Sequence, residues 1–198
     1  MRAKRPLTAI AVCLAAIAVC LAAIAVPSAG ALAAEGEHKP HVHGESKMRL
    51  AVEGSTLEIE LESPAHDIVG FEHMPKTAAQ RDAVKRAVAA LGNGEALFRL
   101  WPGAGCKLRE AEVETPLAEA EEHEKHEEHK EGEHADEEVH SEFHAHYRFR
   151  CAEPGRLGAV EVMLFETFPK MEEIELGAVL PGGQRAKTLK PGSNRFDF

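Results

Sequence analysis

Residues 114–141 hold almost no side chain that a hydrophobic core could use. They run into EEHEKHEEHKEGEHADEEVHSEFHAH at 121–146, which has seven histidines, eleven carboxylates and two lysines. A stretch of this kind cannot bury enough apolar area to offset the entropy lost on ordering it. The fold must come from its two flanks, and those flanks must pack across a polar insertion. Residues 114–140 are therefore expected to form a disordered, His/Glu-rich surface loop.

The flanks read mainly as strands. KMRLAVEG and STLEIELES alternate apolar and polar residues around a Glu53-Gly54-Ser55 turn, which predicts a β-hairpin ending at Pro64. Thr77 is placed as the N-cap of a helix over 78–91, where Ala83, Val84, Ala87, Val88 and Leu91 recur at helical spacing before Gly92. ALFRLW and CKLREAEVE predict two more strands. In SEFHAHYRFRC, Phe143, Ala145, Tyr147 and Phe149 share one face of a strand, and Glu142, His144, His146, Arg148 and Arg150 share the other. LGAVEVMLFETF, the end of PKMEEIELGAVL, and QRAKTL follow as further strands. FEHMP at 71–75 and FETFP at 165–169 occupy similar places in the two flanks and hint at a weak internal duplication. The expected class is α+β: an antiparallel, β-rich scaffold with one main helix. The expected organisation is a leader at 1–33, a histidine-containing arm at 34–46, a first β-rich half with the helix at 47–113, the loop at 114–140, and a second β-rich half at 141–198.

The leader expectation rests on Arg2, Lys4 and Arg5, the apolar run 7–26, and Ala31-Leu32-Ala33 as a cleavage site. Export to the periplasm follows, with no stable membrane insertion after cleavage. A retained anchor is the alternative reading. Lipidation at Cys20 is disfavoured by Val19 before it. Cys13 and Cys20 leave with the leader, so Cys106 and Cys151 remain as an expected disulfide. It would close a loop of 46 residues, a constraint of about 4 kcal/mol in the chain-entropy treatment. Two free thiols or two zinc ligands are the competing reading. The net charge of −10 makes nucleic acid a poor partner and cations a better one.

Imidazole is a ligand for zinc, copper and nickel. His41 and His43 are one residue apart, as are His144 and His146, so on extended backbone each pair faces one way. His144 and His146 are the first candidates because they project from a predicted strand. His140, His123, His126, His129 and His134 are further candidate ligands. Zinc is the expected ion, with Cu2+ or Ni2+ accepted by the same donors. A solvated spacer with incidental histidines, or a pH sensor, would use the same residues differently. His66, Asp67, Glu72 and His73 form a separate set at a strand-to-helix connection, where a metal or docking role competes with a hydrogen-bonded structural corner. HEEH at 126–129 has the wrong spacing for H-E-x-x-H, and the chain has no nucleophile elbow, phosphate loop or dinucleotide fingerprint, so it is not expected to be an enzyme.

HVHG at 41–44, LEIELESPAHDIVGFEH at 57–73, HAHYRFRC at 144–151, LFETFPKMEEIEL at 164–176 and GGQ at 182–184 resemble the ZrgA-type family, the zinc-regulated periplasmic zinc-binding proteins of Gram-negative bacteria. The resemblance implies zinc binding in the periplasm and a link to zinc import beside an ABC importer or its solute-binding protein. It implies ligands among the tract histidines, with His41 and His43 as helpers. A zinc-responsive domain that docks on an envelope partner is the second reading.

Overall fold

The computed structural model describes residues 42–118 and 141–198. The expected hairpin is present as β1 (Glu45–Glu53) and β2 (Thr56–Pro64), paired from Lys47↔Glu62 to Glu53↔Thr56. β2 also pairs with β5 (Glu142–Cys151), which pairs with β4 (Cys106–Glu114). On the other side β1 meets β7 (Glu173–Leu180), and β7 meets β8 (Gly183–Leu189). The sheet order is β4-β5-β2-β1-β7-β8. A small sheet of β3 (Phe98–Leu100), β6 (Ala159–Val162) and β9 (Arg195–Asp197) lies in the order β3-β6-β9.

Period-two patterning decides which side of the large sheet is closed. Met48, Leu50, Leu57, Ile59, Leu61, Phe143, Tyr147, Phe149, Ile174 and Leu176 are each at most 2% exposed. They share one core with Val84, Ala87 and Leu91 of the long helix and with Val160, Val162 and Phe196 of the small sheet. The long helix, α2 (Ala78–Leu91), begins at Thr77 with a capping box: Gln80 N donates to Thr77 Oγ1, and Thr77 N donates to Gln80 Oε1. Among the described residues, shorter helices include α1 (Ala65–Val69), α3 (Gly94–Leu97) and α4 (Leu164–Thr167). Tyr147 ties β5 to the end of α2, its hydroxyl donating to Leu91 O at 2.8 Å. A Cβ at Gly94 would come within 2.7 Å of the Tyr147 ring, so only glycine lets α3 approach. Among the described residues no helix is long and apolar enough to cross a membrane.

The structure is β-rich with one long helix, and it corrects several expectations. The large sheet is mixed, because β1 and β7 run parallel. Strands of both halves share it: β4, β2 and β1 from the first lie in one sheet with β5, β7 and β8 from the second. The hinted duplication is not reflected in the topology. β1 and β2, which precede FEHMP, are hairpin partners, whereas β5 and β6, which precede FETFP, lie in different sheets. LGAVEVMLFETF is strand only over β6 and then turns into α4, and ALFRLW starts as α3. β9 carries no alternation long enough to be seen in the sequence. The charged segment does not begin free at residue 114, since Thr115 and Leu117 are 4% and 1% exposed and Leu117 joins the core. Cys106 and Cys151 form the expected disulfide, at directly paired positions of β4 and β5. The expected leader and the rest of the predicted loop lie outside the described residues.

Candidate metal-binding face

The outward side of β4, β5 and β2 repeats one arrangement three times. Residues opposite one another across paired strands project side by side, with Cβ atoms roughly 5 Å apart. His144 lies between Glu62 on β2 and Glu114 on β4. His146 lies between Glu60 and Glu112, and Arg148 between Glu58 and Glu110. The register follows from the inward residues: once Leu61, Ala145 and Val113 share the buried side, their neighbours must share the open one.

The three rows differ in their central charge. Arg148 is always cationic; its Nε meets Glu58 Oε1 at 3.1 Å, and its Nη1 pairs with Glu110 Oε2. Glu58 first, then Glu110, raises the guanidinium's pKa further. In the other two rows the centre is an imidazole, which supplies positive charge only by taking a proton or a metal ion. Lys47 pairs with Glu62 at 3.2 Å and Arg49 with Glu60 at 3.6 Å, at the far side of those rows. Glu112 and Glu114 make no ion pair among the described residues. His144 Nε2 is 3.4 Å from Glu142 Oε2. The two histidines and four glutamates line a shallow groove of about 220 Å³ with Lys47 and Arg49.

Imidazole and carboxylate are zinc's usual nitrogen and oxygen donors, so the residues present fit that ion. Among the described residues, however, no three or more His, Cys, Asp or Glu side chains are already gathered as a metal site. Ligation on this face requires side-chain rearrangement or further donors.

The tract joins the scaffold beside this face. Residue 118 follows the buried Leu117, and Ser141, 1% exposed, enters β5 two residues before Phe143. The Cys106–Cys151 bond sits at the opposite end of the β4–β5 pair, about 25 Å from the tract by strand rise. Pairing at Glu114↔His144 and the burial of Leu117 and Ser141 hold the tract's ends. His123, His126, His129, His134 and His140, and His41 of the arm, lie outside the described residues.

His43 is brought to a different place, the corner where β1 begins and β2 passes into α1. Its ring stacks on His66 with centroids 4.2 Å apart and planes 13° apart. Its Nε2 is 3.0 Å from Glu72 Oε1. His66 Nδ1 is 3.2 Å from Asp67 Oδ1, which also accepts from Gly44 N at 2.8 Å. His73 turns away, with Nδ1 on Met74 O and its ring against Phe71. The glutamates that flank His144 and His146 were not singled out from the sequence. Only the cross-strand register identifies them.

Fold and face together define a class: a mixed β-sheet protein with a histidine–carboxylate face beside a histidine-rich insertion. The chain belongs to the ZrgA family, whose model, described as a ZrgA family zinc uptake protein, matches residues 40–198. The comparison with curated proteins finds no match.

Proposed function

We propose that this protein binds zinc in the periplasm and buffers or delivers it in support of uptake. The observation that carries the reading is the pair of rows in which His144 and His146 each stand between two glutamates, beside the point where the tract leaves the sheet. Family membership supports the link to zinc uptake. The tract collects ions at high local negative potential, and the outer face of β4–β5–β2 receives them on fixed backbone. Delivery would be to a zinc ABC importer or its solute-binding protein. The role is binding rather than catalysis, and the disulfide leaves neither Cys106 nor Cys151 as a thiol nucleophile.

Equilibrium dialysis with metal analysis tests this on the parent, a variant lacking residues 119–140, and His144→Ala/His146→Ala. Deletion is expected to lower the number of zinc ions bound, and the double substitution to weaken those that remain. Unchanged stoichiometry and affinity in both variants would overturn the reading.

A further inference from the structure

We propose that the corner between β1, β2 and α1 is a second site for a divalent metal ion of zinc's class, held by His43, His66 and Glu72 with Asp67 as the positioning carboxylate. The proposal rests on the reading of this chain as a metal binder, but it does not depend on the outer face or the tract.

Asp67 is the first argument. Its side chain is 0% exposed, and although Oδ1 has two partners, the buried Oδ2 has no hydrogen-bond partner among the described residues. A carboxylate left in this state is costly unless a cation lies close by. Among the described residues the basic side chain in contact with Asp67 is the imidazole of His66, on which the His43 ring is stacked.

The imidazoles are the second argument. With Nδ1 of His66 donating to Asp67, the ring holds the tautomer whose Nε2 lone pair is available to a metal. A carboxylate behind a histidine in this way orients the ring and raises its basicity as a ligand. The His43 ring lies stacked on His66 at 4.2 Å. Glu72, with a side chain 15% exposed, adds an oxygen donor at His43 Nε2.

The backbone that carries these groups is pinned. Gly44 adopts φ +89°, its N–H holds Asp67, and its carbonyl accepts from Glu172 N and Glu173 N, both at 2.9 Å. Ala65 N donates to Ser141 O at 2.8 Å, which fixes the start of α1. The donors are presently hydrogen-bonded to one another instead of converging. Metal binding would replace the His43–Glu72 hydrogen bond with bonds from both groups to the ion, the His43 proton moving to Nδ1. Three protein ligands leave zinc's fourth position open, which suits an ion that must be passed on.

The test uses the full chain labelled with 15N in its histidines. The imidazole signals of His43 and His66, assigned from His43→Ala and His66→Ala, are followed as zinc is added below one equivalent. They are expected to shift first. Asp67→Asn, which keeps the shape and removes the charge, is expected to weaken the tightest zinc step by about 10–100-fold in chelator competition. The His144→Ala/His146→Ala variant should leave that step in place. If His66→Ala does not fold, Glu72→Gln and the parent spectra decide the matter. Shifts confined to other histidines, with Asp67→Asn titrating like the parent, would overturn the corner site and leave zinc binding intact. Failure of any histidine to respond to zinc would overturn both readings.

Discussion

The two faces of β5 carry alternate residues of one strand under opposite constraints. Phe143, Tyr147 and Phe149 are 0–2% exposed, whereas the His144 side chain between them is 53% exposed. On the inner face, identity is set by volume and by the one polar group that must find a partner, the Tyr147 hydroxyl. On the outer face, volume is less constrained and His144 and His146 each stand between two glutamates. Substitution on one face should therefore move stability without zinc affinity, and on the other zinc affinity without stability.

The largest effect belongs inside. Tyr147→Ala removes a fully buried ring that packs edge-on against Phe98 at 4.9 Å and leaves Leu91 O without its donor. We expect a loss of about 3–5 kcal/mol in urea unfolding. Per-site zinc affinity measured on the folded fraction should not change. Reduction of Cys106–Cys151 is expected to cost about 4 kcal/mol at most, since it closes a 46-residue loop. Because the bond lies at the sheet end remote from the tract, a Cys106→Ala/Cys151→Ala protein that still folds should retain its zinc stoichiometry.

A pH effect separates the faces next. Burial pushes the Tyr147 phenol well above its ordinary value of 10.0. The unfolded chain loses this proton near pH 10 while the folded chain keeps it, so above that pH the folded state binds more protons. Tyr147's contribution is fully present below pH 10 and is lost as pH rises through it, at about 1.4 kcal/mol per pH unit. Urea unfolding should show stability flat from pH 9 towards 10 and falling towards that slope above pH 10, and Tyr147→Phe should lack the fall.

These faces also mark how far the sequence could be read. Alternation in SEFHAHYRFRC identifies both faces of β5, because one strand's pattern depends only on its own residues. The hairpin and the Thr77 cap are equally local. The partners are not local. That His144 stands between Glu62 and Glu114 depends on β5 inserting between β4 and β2, a pairing no single segment encodes. The parallel contact of β1 with β7 and the stacking of His43 on His66 are hidden for the same reason. α4 was lost because LFET continues the apolar character of β6, and length alone did not separate strand from turn. The burial of Leu117 was missed because one leucine in an acidic stretch has no periodic neighbour.

On the outer face, His144→Ala/His146→Ala should change folding stability by less than about 1 kcal/mol, since His144 is exposed and His146 only half-buried, outside the core. The same variant should bind zinc more weakly on this face in competition with a chelator. A large loss of stability would mean the two faces are not independent.

The smallest effect is the most direct test of the row arrangement. Arg148 is cationic at both pH 6 and pH 8 and pairs with Glu58 and Glu110 through exposed ion pairs that salt screens. Arg148→His makes the third row like the other two. The two flanking carboxylates favour the charged imidazole, so its folded pKa lies above its unfolded one. The attraction is then complete below the unfolded pKa, near 6.5, and is lost as pH rises through the folded value. Melting temperatures at pH 6 and pH 8, compared between parent and variant at low salt, should show a small extra fall for the variant. High salt should shrink that fall. Zinc at pH 8 should restore the variant more than the parent, because a metal ion on the new imidazole supplies the charge that the proton no longer does. If zinc and pH leave the two proteins indistinguishable, carboxylates flanking an imidazole on this sheet do not make a cation site, and the reading of the His144 and His146 rows falls with it.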